Sequence, residues 1–217
     1  MRLIDLSQPV YDASPNCPAH PPVQSKIIAD HADSGWRVEL MTLSNHTGSH
    51  VDAPYHKLAH GKDLDAIPLE RWVGPAHIAD LRDSKPNRAI GADLLRERLP
   101  IDLKDRIVLL ATGWGDRRAM TDEWKYHSPY LAPDGARYLV DRGIRGVGID
   151  HYSVGGSREP LNSETHTILL GADVWIVEEL KFPAEVFDLR QPVTFWSLPI
   201  NFKHHTGAFC RPVLVVE

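Results

Sequence analysis

Ala132-Pro-Asp-Gly-Ala-Arg-Tyr-Leu-Val-Asp-Arg142 reads as a helix. Pro133 falls in a first turn, where its missing N–H costs nothing, Ala136, Leu139 and Val140 share a side, and Gly143 stops the run. Gly146-Val-Gly-Ile-Asp150 follows almost at once and reads as a strand. A helix that feeds a strand within a few residues is a step from which mixed sheets are built. Outward from it, runs rich in Val, Ile and Leu and bounded by turn residues predict further strands. These cover Trp36–Leu43, His77–Asp80, Arg106–Thr112, Val174–Val177, Val193–Leu198 and Val213–Val216, with a short ordered strand in Ile4–Val10. A second helix is predicted over Gly91–Leu99, from Asp93 near its start and apolar Leu94, Leu95 and Leu99. Short strands outnumber helices. The expected fold is therefore α/β: a single domain, residues 1–217, with a mixed, barrel-like β-sheet and few helices.

The bulk properties agree with a globular protein, at 42% hydrophobic and 24% charged residues. A formal net charge of -5 argues against nucleic acid as a partner, since phosphate binding wants a basic face. No stretch reaches the length of a membrane span, and Met1-Arg-Leu-Ile-Asp-Leu-Ser7 has no apolar signal core. Cys17 and Cys210 are too few and too far apart for a disulfide framework, so a reduced, cytoplasmic protein is expected. The Pro-rich stretch Ser14–Pro22 reads as a loop between ordered parts, and such loops often line sites.

The chemistry concentrates in His46-Thr-Gly-Ser-His50-Val-Asp52-Ala-Pro-Tyr-His56, which packs three imidazoles and a carboxylate into eleven residues. Neutral imidazole and carboxylate together suit zinc or manganese, ions that turn water into a nucleophile near neutral pH. On an extended segment, His50 and Asp52 share one face. The Thr47-Gly48 turn can bring His46 to them, and Pro54 keeps Ala53 extended. This is not the helical His-Glu-x-x-His spacing of a zinc protease. The competing reading is a chance cluster in a chain with twelve histidines. Further donors are sought in His166 and in Glu178, a carboxylate at the end of an apolar run that must be paired or metal-bound if buried.

The string His46-x-Gly-Ser-His50-x-Asp52-Ala-Pro-x-His56 resembles the signature of the cyclase-like metal-dependent hydrolases, a family that includes bacterial kynurenine formamidases and isatin hydrolases. The resemblance continues in Thr112-Gly-Trp-Gly115, in Gly146–Asp150 and in the spacing from His166 to Glu178-Glu-Leu180. It implies a fold of the swivelling β/β/α type, assembled as a homodimer or homotetramer. It also implies that His46, His50 and Asp52 hold one divalent ion, that Asp52 and Glu178 bridge, and that His166 binds a second. Two Zn2+ per chain are expected, with Mn2+ as the other candidate. His56 falls where the family places its acid/base residue. Glu178 rather than Glu179 is taken as the ligand. The implied activity is hydrolysis of a C–N bond in a small amide, as by an arylformamidase. The nearest alternatives are opening of a cyclic amide such as isatin and, in another class, a metal-dependent lyase or dehydratase. A metal-binding protein without catalysis would not need His56.

Two departures from the family pattern stand out. Ser49 replaces the usual Thr and keeps its hydroxyl. Cys17-Pro18 stands where kynurenine formamidases carry an aromatic residue before Pro, which removes a ring contact to substrate. Cys17 and His60 are the expected substrate-side residues. Competing motifs are weak. Asp150-His151-Tyr-Ser153 offers the residue types of a nucleophilic triad, but neighbours on a strand point to opposite faces and no Gly-x-Ser-x-Gly elbow is present. The glycines of Gly146-Val-Gly148 and Gly155-Gly156 lack dinucleotide-site spacing. His204-His205 reads as a structural or exposed pair, and the six tryptophans as core or interface residues.

Overall fold

The computed structural model describes residues 1–216. In chain order its elements are β1 (Arg2–Asp5), β2 (Gln24–Ala29), α1 (His31–Ser34), β3 (Val38–Thr42), β4 (His50–Asp52), β5 (Val73–Asp80), β6 (Ala89–Ile90), α2 (Ala92–Arg98), β7 (Ile107–Ala111), α3 (Asp122–Tyr126), β8 (Tyr130–Leu131), α4 (Pro133–Asp141), β9 (Gly146–Ile149), α5 (Leu161–Gly171), β10 (Trp175–Glu178), β11 (Val193–Trp196), β12 (Gly207–Phe209) and β13 (Val213–Val216). Nine strands form one mixed sheet in the order β1-β13-β11-β5-β7-β9-β10-β4-β12. β5, β7, β9 and β10 run parallel at its centre, and antiparallel strands extend both flanks. Just beyond β1, Leu6 accepts a hydrogen bond from Lys181 N at 2.8 Å, which joins one flank to the chain leaving β10. The sheet therefore curls into a half-barrel.

The central strands are apolar on both faces, as parallel strands covered on both sides must be. In β7, Val108 and Leu110 pack into the core beneath α2, α4 and α5. Ile107, Leu109 and Ala111 enter the opposite core, with Trp72, Trp175 and Phe195. β9 alternates Val147 and Ile149 on the helix side with glycines on the other. A Cβ at Gly146 would lie 2.4 Å from the Trp175 ring, and one at Gly148 2.8 Å from Leu180. These glycines admit large neighbours, and filling either site would cost about 1–3 kcal/mol in overpacking.

The predicted strands over His77–Asp80, Arg106–Thr112, Gly146–Asp150, Val174–Val177, Val193–Leu198 and Val213–Val216 all form within the large sheet, and the helices over Gly91–Leu99 and Ala132–Arg142 form beside it, with ends moved by a few residues. Ile4–Val10 is ordered but its strand ends at Asp5. The stretch Trp36–Leu43 also forms its strand, β3, but this one pairs with β2 in a separate two-stranded ribbon instead of joining the large sheet. Trp36 is 75% exposed, and Ile27, Ile28, Val38, Leu40 and Met41 are exposed with it, so this tryptophan is not a core residue of the chain. Among the described residues no helix is long and apolar enough to cross a membrane.

Candidate metal centre

β4 lies between β10 and β12, antiparallel to both, and its three residues are buried. Val51 points into the core, so His50 and Asp52 share the other face. The register sets Glu178 directly opposite His50. α5 adds His166, buried beside Thr165, Leu169 and Leu170. Residues far apart in sequence thus meet because two strands pair and one helix covers their ends.

The imidazoles are oriented by the main chain. His50 Nδ1 lies 2.8 Å from the Gly48 carbonyl, and His166 Nδ1 lies 2.9 Å from the Asn162 carbonyl. Each Nδ1 donates its proton there, which leaves Nε2 as a lone-pair donor aimed at the carboxylates. His50 Nε2 is 3.5 Å from Asp52 Oδ1 and 3.5 Å from Glu178 Oε2. His166 Nε2 is 3.5 Å from Glu178 Oε1 and 3.8 Å from Asp52 Oδ2. Each carboxylate therefore turns one oxygen to His50 and the other to His166.

These separations are too long for good hydrogen bonds and match donors that share an ion. Two ligand atoms each about 2.1 Å from a tetrahedral ion lie roughly 3.4 Å apart. Asp52 Oδ2 is buried without a hydrogen-bond partner, although its neighbours are polar. Burial opposes charge on His50, but Glu178 and Asp52 prevail and raise its pKa to about 9. His166 is also opposed by burial and also raised, chiefly by Glu178. Two buried carboxylates that favour positive charge on His50 and His166 also favour a cation between them. The donor set fits a divalent ion.

His46 reaches the same carboxylate differently. Its Nδ1 is 2.7 Å from Asp52 Oδ1 and its Nε2 is 2.8 Å from Thr206 Oγ1, both of hydrogen-bond length. Its ring packs over Gly207, where a Cβ would lie 2.7 Å from His46 Cε1 and 2.3 Å from the Val51 carbonyl. His56 follows β4 on a 3₁₀ turn, Pro54–His56, after the extended Ala53 that Pro54 demands. Its ring lies over His46 with centroids 4.0 Å apart, and 6.0 Å from that of His166. One side of His56 is open to solvent. Withdrawal of water from its inner side lowers its pKa against the pull of Asp52.

A cavity of about 200 Å³ opens above these groups. Cys17, half-buried, forms part of its wall, and burial raises its thiol pKa. His60 is exposed and lies outside this lining, so the structure does not bring it to the cavity. His20, Lys57, Tyr152, Glu159, Asn162 and Ser163 complete much of the wall and were not singled out by sequence. The only signal at His20 was one more histidine in a Pro-rich loop. Glu179 points away from the cluster: its Oε2 receives Arg118 Nε at 2.6 Å. Ser49 Oγ donates to the Glu179 carbonyl at 2.7 Å and accepts from Gln8 N at 2.8 Å, which uses the hydroxyl that Thr would have supplied.

Asp150, His151 and Ser153 form no triad. Asp150 Oδ1 accepts from Thr112 N at 3.1 Å, and His151 Nε2 donates to the Trp124 carbonyl at 2.9 Å. Burial, partly offset by Thr112, raises Asp150 to about 6, and burial lowers His151 to about 4. For Asp150 the folded value exceeds the unfolded one, so its contribution worsens as pH rises from 4 to 6, by about 3 kcal/mol. His151 does the opposite by a similar amount up to pH 6.5, and the two largely cancel. The Asp150→Asn variant is expected to lose about 3 kcal/mol relative to the parent between pH 7 and pH 4. Urea midpoints across that range measure it, and a constant difference would show that Asp150 titrates as an ordinary carboxylate.

Comparison with known proteins places these features in a wider set. The cyclase family model matches residues 4–155. The chain is 34% identical over 219 residues to kynurenine formamidase from Geobacillus thermodenitrificans, across 97% of this chain and 96% of that protein. It is 29% identical to the kynurenine formamidase of Bacillus anthracis over 82% of this chain and 81% of that one. Among solved structures, isatin hydrolase A from Ralstonia solanacearum superposes with a TM-score of 0.85 at 22% identity, covering 100% of this chain and 92% of that one, which speaks for a shared fold. A predicted metal-dependent hydrolase from Bacillus stearothermophilus gives 0.76 at 27% identity, over 98% of this chain and 97% of that one.

Proposed function

The chain belongs to the cyclase family, and on that footing we propose that it is a divalent-metal-dependent hydrolase of a C–N bond in a small amide, most like an arylformamidase that converts N-formylkynurenine to kynurenine and formate. The observation that carries this reading is the disposition of Asp52 and Glu178, each with one oxygen toward His50 and the other toward His166 at 3.5–3.8 Å. It suits a pair of divalent ions, Zn2+ or Mn2+, which His46, His50 and His166 would hold with Asp52 and Glu178 shared between them; His46 would give up one of its present hydrogen bonds to take part. Ions held there supply an acidified water and a Lewis acid for the substrate carbonyl.

The protein's own residues do the rest. The two carboxylates balance the ionic charge in a buried site. His56 is the one imidazole of the cluster with neither ring nitrogen in a hydrogen bond to another described residue, and it faces the cavity. It accepts the proton of the attacking water and delivers it to the leaving nitrogen, which is a poor leaving group until protonated. Lys57 and Glu159 on the cavity wall both bond to Ser163, the lysine through Oγ and the glutamate through the main-chain N–H. A cation and an anion held side by side suit a substrate with an amino-acid tail, as N-formylkynurenine has and isatin lacks. A homodimer or homotetramer belongs to the same proposal, supported by the exposed apolar ribbon of β2 and β3, since a lone two-stranded ribbon is marginally stable in water.

The test is hydrolysis of N-formylkynurenine by purified protein, with and without Zn2+ or Mn2+, beside isatin and in 18O-labelled water. Metal-dependent turnover of the formamide with one solvent oxygen in the formate is expected. Turnover of isatin alone would move the activity to cyclic amides, and product without solvent oxygen would place it among the lyases.

A further inference from the structure

Arg118 lies outside the metal cluster, yet its guanidinium is buried, with 6% of the side chain exposed against 1% for its partner Glu179. It spends its donors on three fixed acceptors. Nε donates to Glu179 Oε2 at 2.6 Å, Nη1 to the Pro9 carbonyl at 2.9 Å and Nη2 to the Pro15 carbonyl at 2.5 Å. Glu179 is the residue after Glu178 and holds a left-handed backbone, φ 53°, where the chain turns out of β10. Pro15 begins the loop that carries Cys17 and His20 into the cavity wall. That loop is braced further by Asn16, whose side chain donates to the Pro21 carbonyl at 3.0 Å, and by a turn from His20 N to the Cys17 carbonyl at 3.0 Å. One planar fork thus ties the cavity wall to the strand that carries Glu178. Prolines have no N–H of their own to pair with the sheet, so their carbonyls are the handles this loop can offer.

We propose that Arg118 is a positioning residue for the hydrolysis proposed above, with Glu179 as its anchor: it fixes the Cys17–His20 turn against the metal-bearing strand and so sets the cavity wall that meets the substrate. The bidentate fork is what the role requires. A lysine keeps the charge beside Glu179 but presents a point donor that cannot hold both proline carbonyls in one plane.

The experiment compares the full-length parent with Arg118→Lys, and with Arg118→Gln/Glu179→Gln, which removes the buried charge pair altogether in case the lysine variant folds poorly. Two readouts are taken: the rate at which iodoacetamide alkylates Cys17 relative to Cys210, resolved by peptide mass, and kcat and KM for N-formylkynurenine with the bound metal counted. The expected result is alkylation of Cys17 faster by about tenfold with Cys210 unchanged. KM should rise by about tenfold while kcat and metal content stay within about threefold, the pattern of lost ground-state positioning. Unchanged Cys17 reactivity and unchanged KM in both variants would overturn the assignment. So would equal acceleration at both cysteines, which marks general loosening of the fold. If the parent does not hydrolyse the formamide, the functional reading fails, and the alkylation ratio alone still decides whether Arg118 holds the loop.

Discussion

His56→Ala is expected to lower kcat for amide hydrolysis by roughly 100- to 10,000-fold, the range that a positioned acid/base group supplies, while the protein keeps its metal. The two halves of that expectation separate His56 from its neighbours. Its ring lies over His46 but makes no hydrogen bond with a described residue, and it is the most solvent-accessible imidazole of the cluster. Removing it should cost less than Asp52→Asn does, because His56 is partly exposed and Asp52 keeps His46 and His50 as partners. The vacated space adjoins the cavity, so added imidazole should restore part of the rate. Metal content and turnover are measured on the same sample. Loss of metal in proportion to activity would make His56 a ligand, a real contest because His46, Asp52 and His56 offer donor atoms within 4.8 Å of one another.

Asp52→Asn should act one level deeper and abolish metal binding and activity together. Burial opposes ionisation of Asp52, but His56, His46 and His50 prevail and hold it well below the usual carboxylate range. A depressed folded pKa means that the stability contributed by the ionised group is present at neutral pH and is lost as pH falls through the folded value. Asparagine keeps an oxygen for His46 but removes one of the two anions that face the imidazoles, leaving Glu178 alone beside His50 and His166. Breaking a buried charge pair in this way costs about 3–5 kcal/mol. For a chain of this size each kcal/mol lowers the melting point by roughly 2–4 °C. Melting curves with a chelator separate that cost from the loss of metal-linked stabilisation, which the parent should also show when chelated. An asparagine variant that binds its full complement of metal would sink the bridging role proposed for Asp52.

The sequence is most telling where function is local. His50 and Asp52 meet because a strand alternates its faces, and Pro54 ends that strand where His56 is needed, so the spacing of His46–His56 carries most of its own geometry. Residues that depend on the pleat of a distant strand are harder to read. Glu178 and Glu179 are adjacent and identical in type, and only the pairing of β10 with β4 sends one to the cluster and the other to Arg118. α5 was not predicted, because Asn162, Ser163, Thr165, His166 and Thr167 are poor helix formers that compete for backbone hydrogen bonds. Its packing against α4 and β10 makes it helical anyway. β12 is missed for its shortness, three residues set by a partner strand rather than by any pattern of its own. The ribbon of β2 and β3 misleads in the other direction. Its apolar residues look like core because the sequence does not say which strands find a place in the sheet.

β4 is flanked by β10 and by β12, and β12 comes from near the end of the chain. A nascent polypeptide that has made only its histidine-rich segment therefore owns no binding site: His166 and Glu178 have yet to emerge, and the strand that seats His46 over Gly207 arrives later still. Unlike a zinc finger, which the ion folds, the proposed site would take up its ion only after β10 and β12 have joined β4. If the proposed ion enters a site that the fold has already assembled, expression in media of different trace-metal content should yield protein of different metal composition with the same fold.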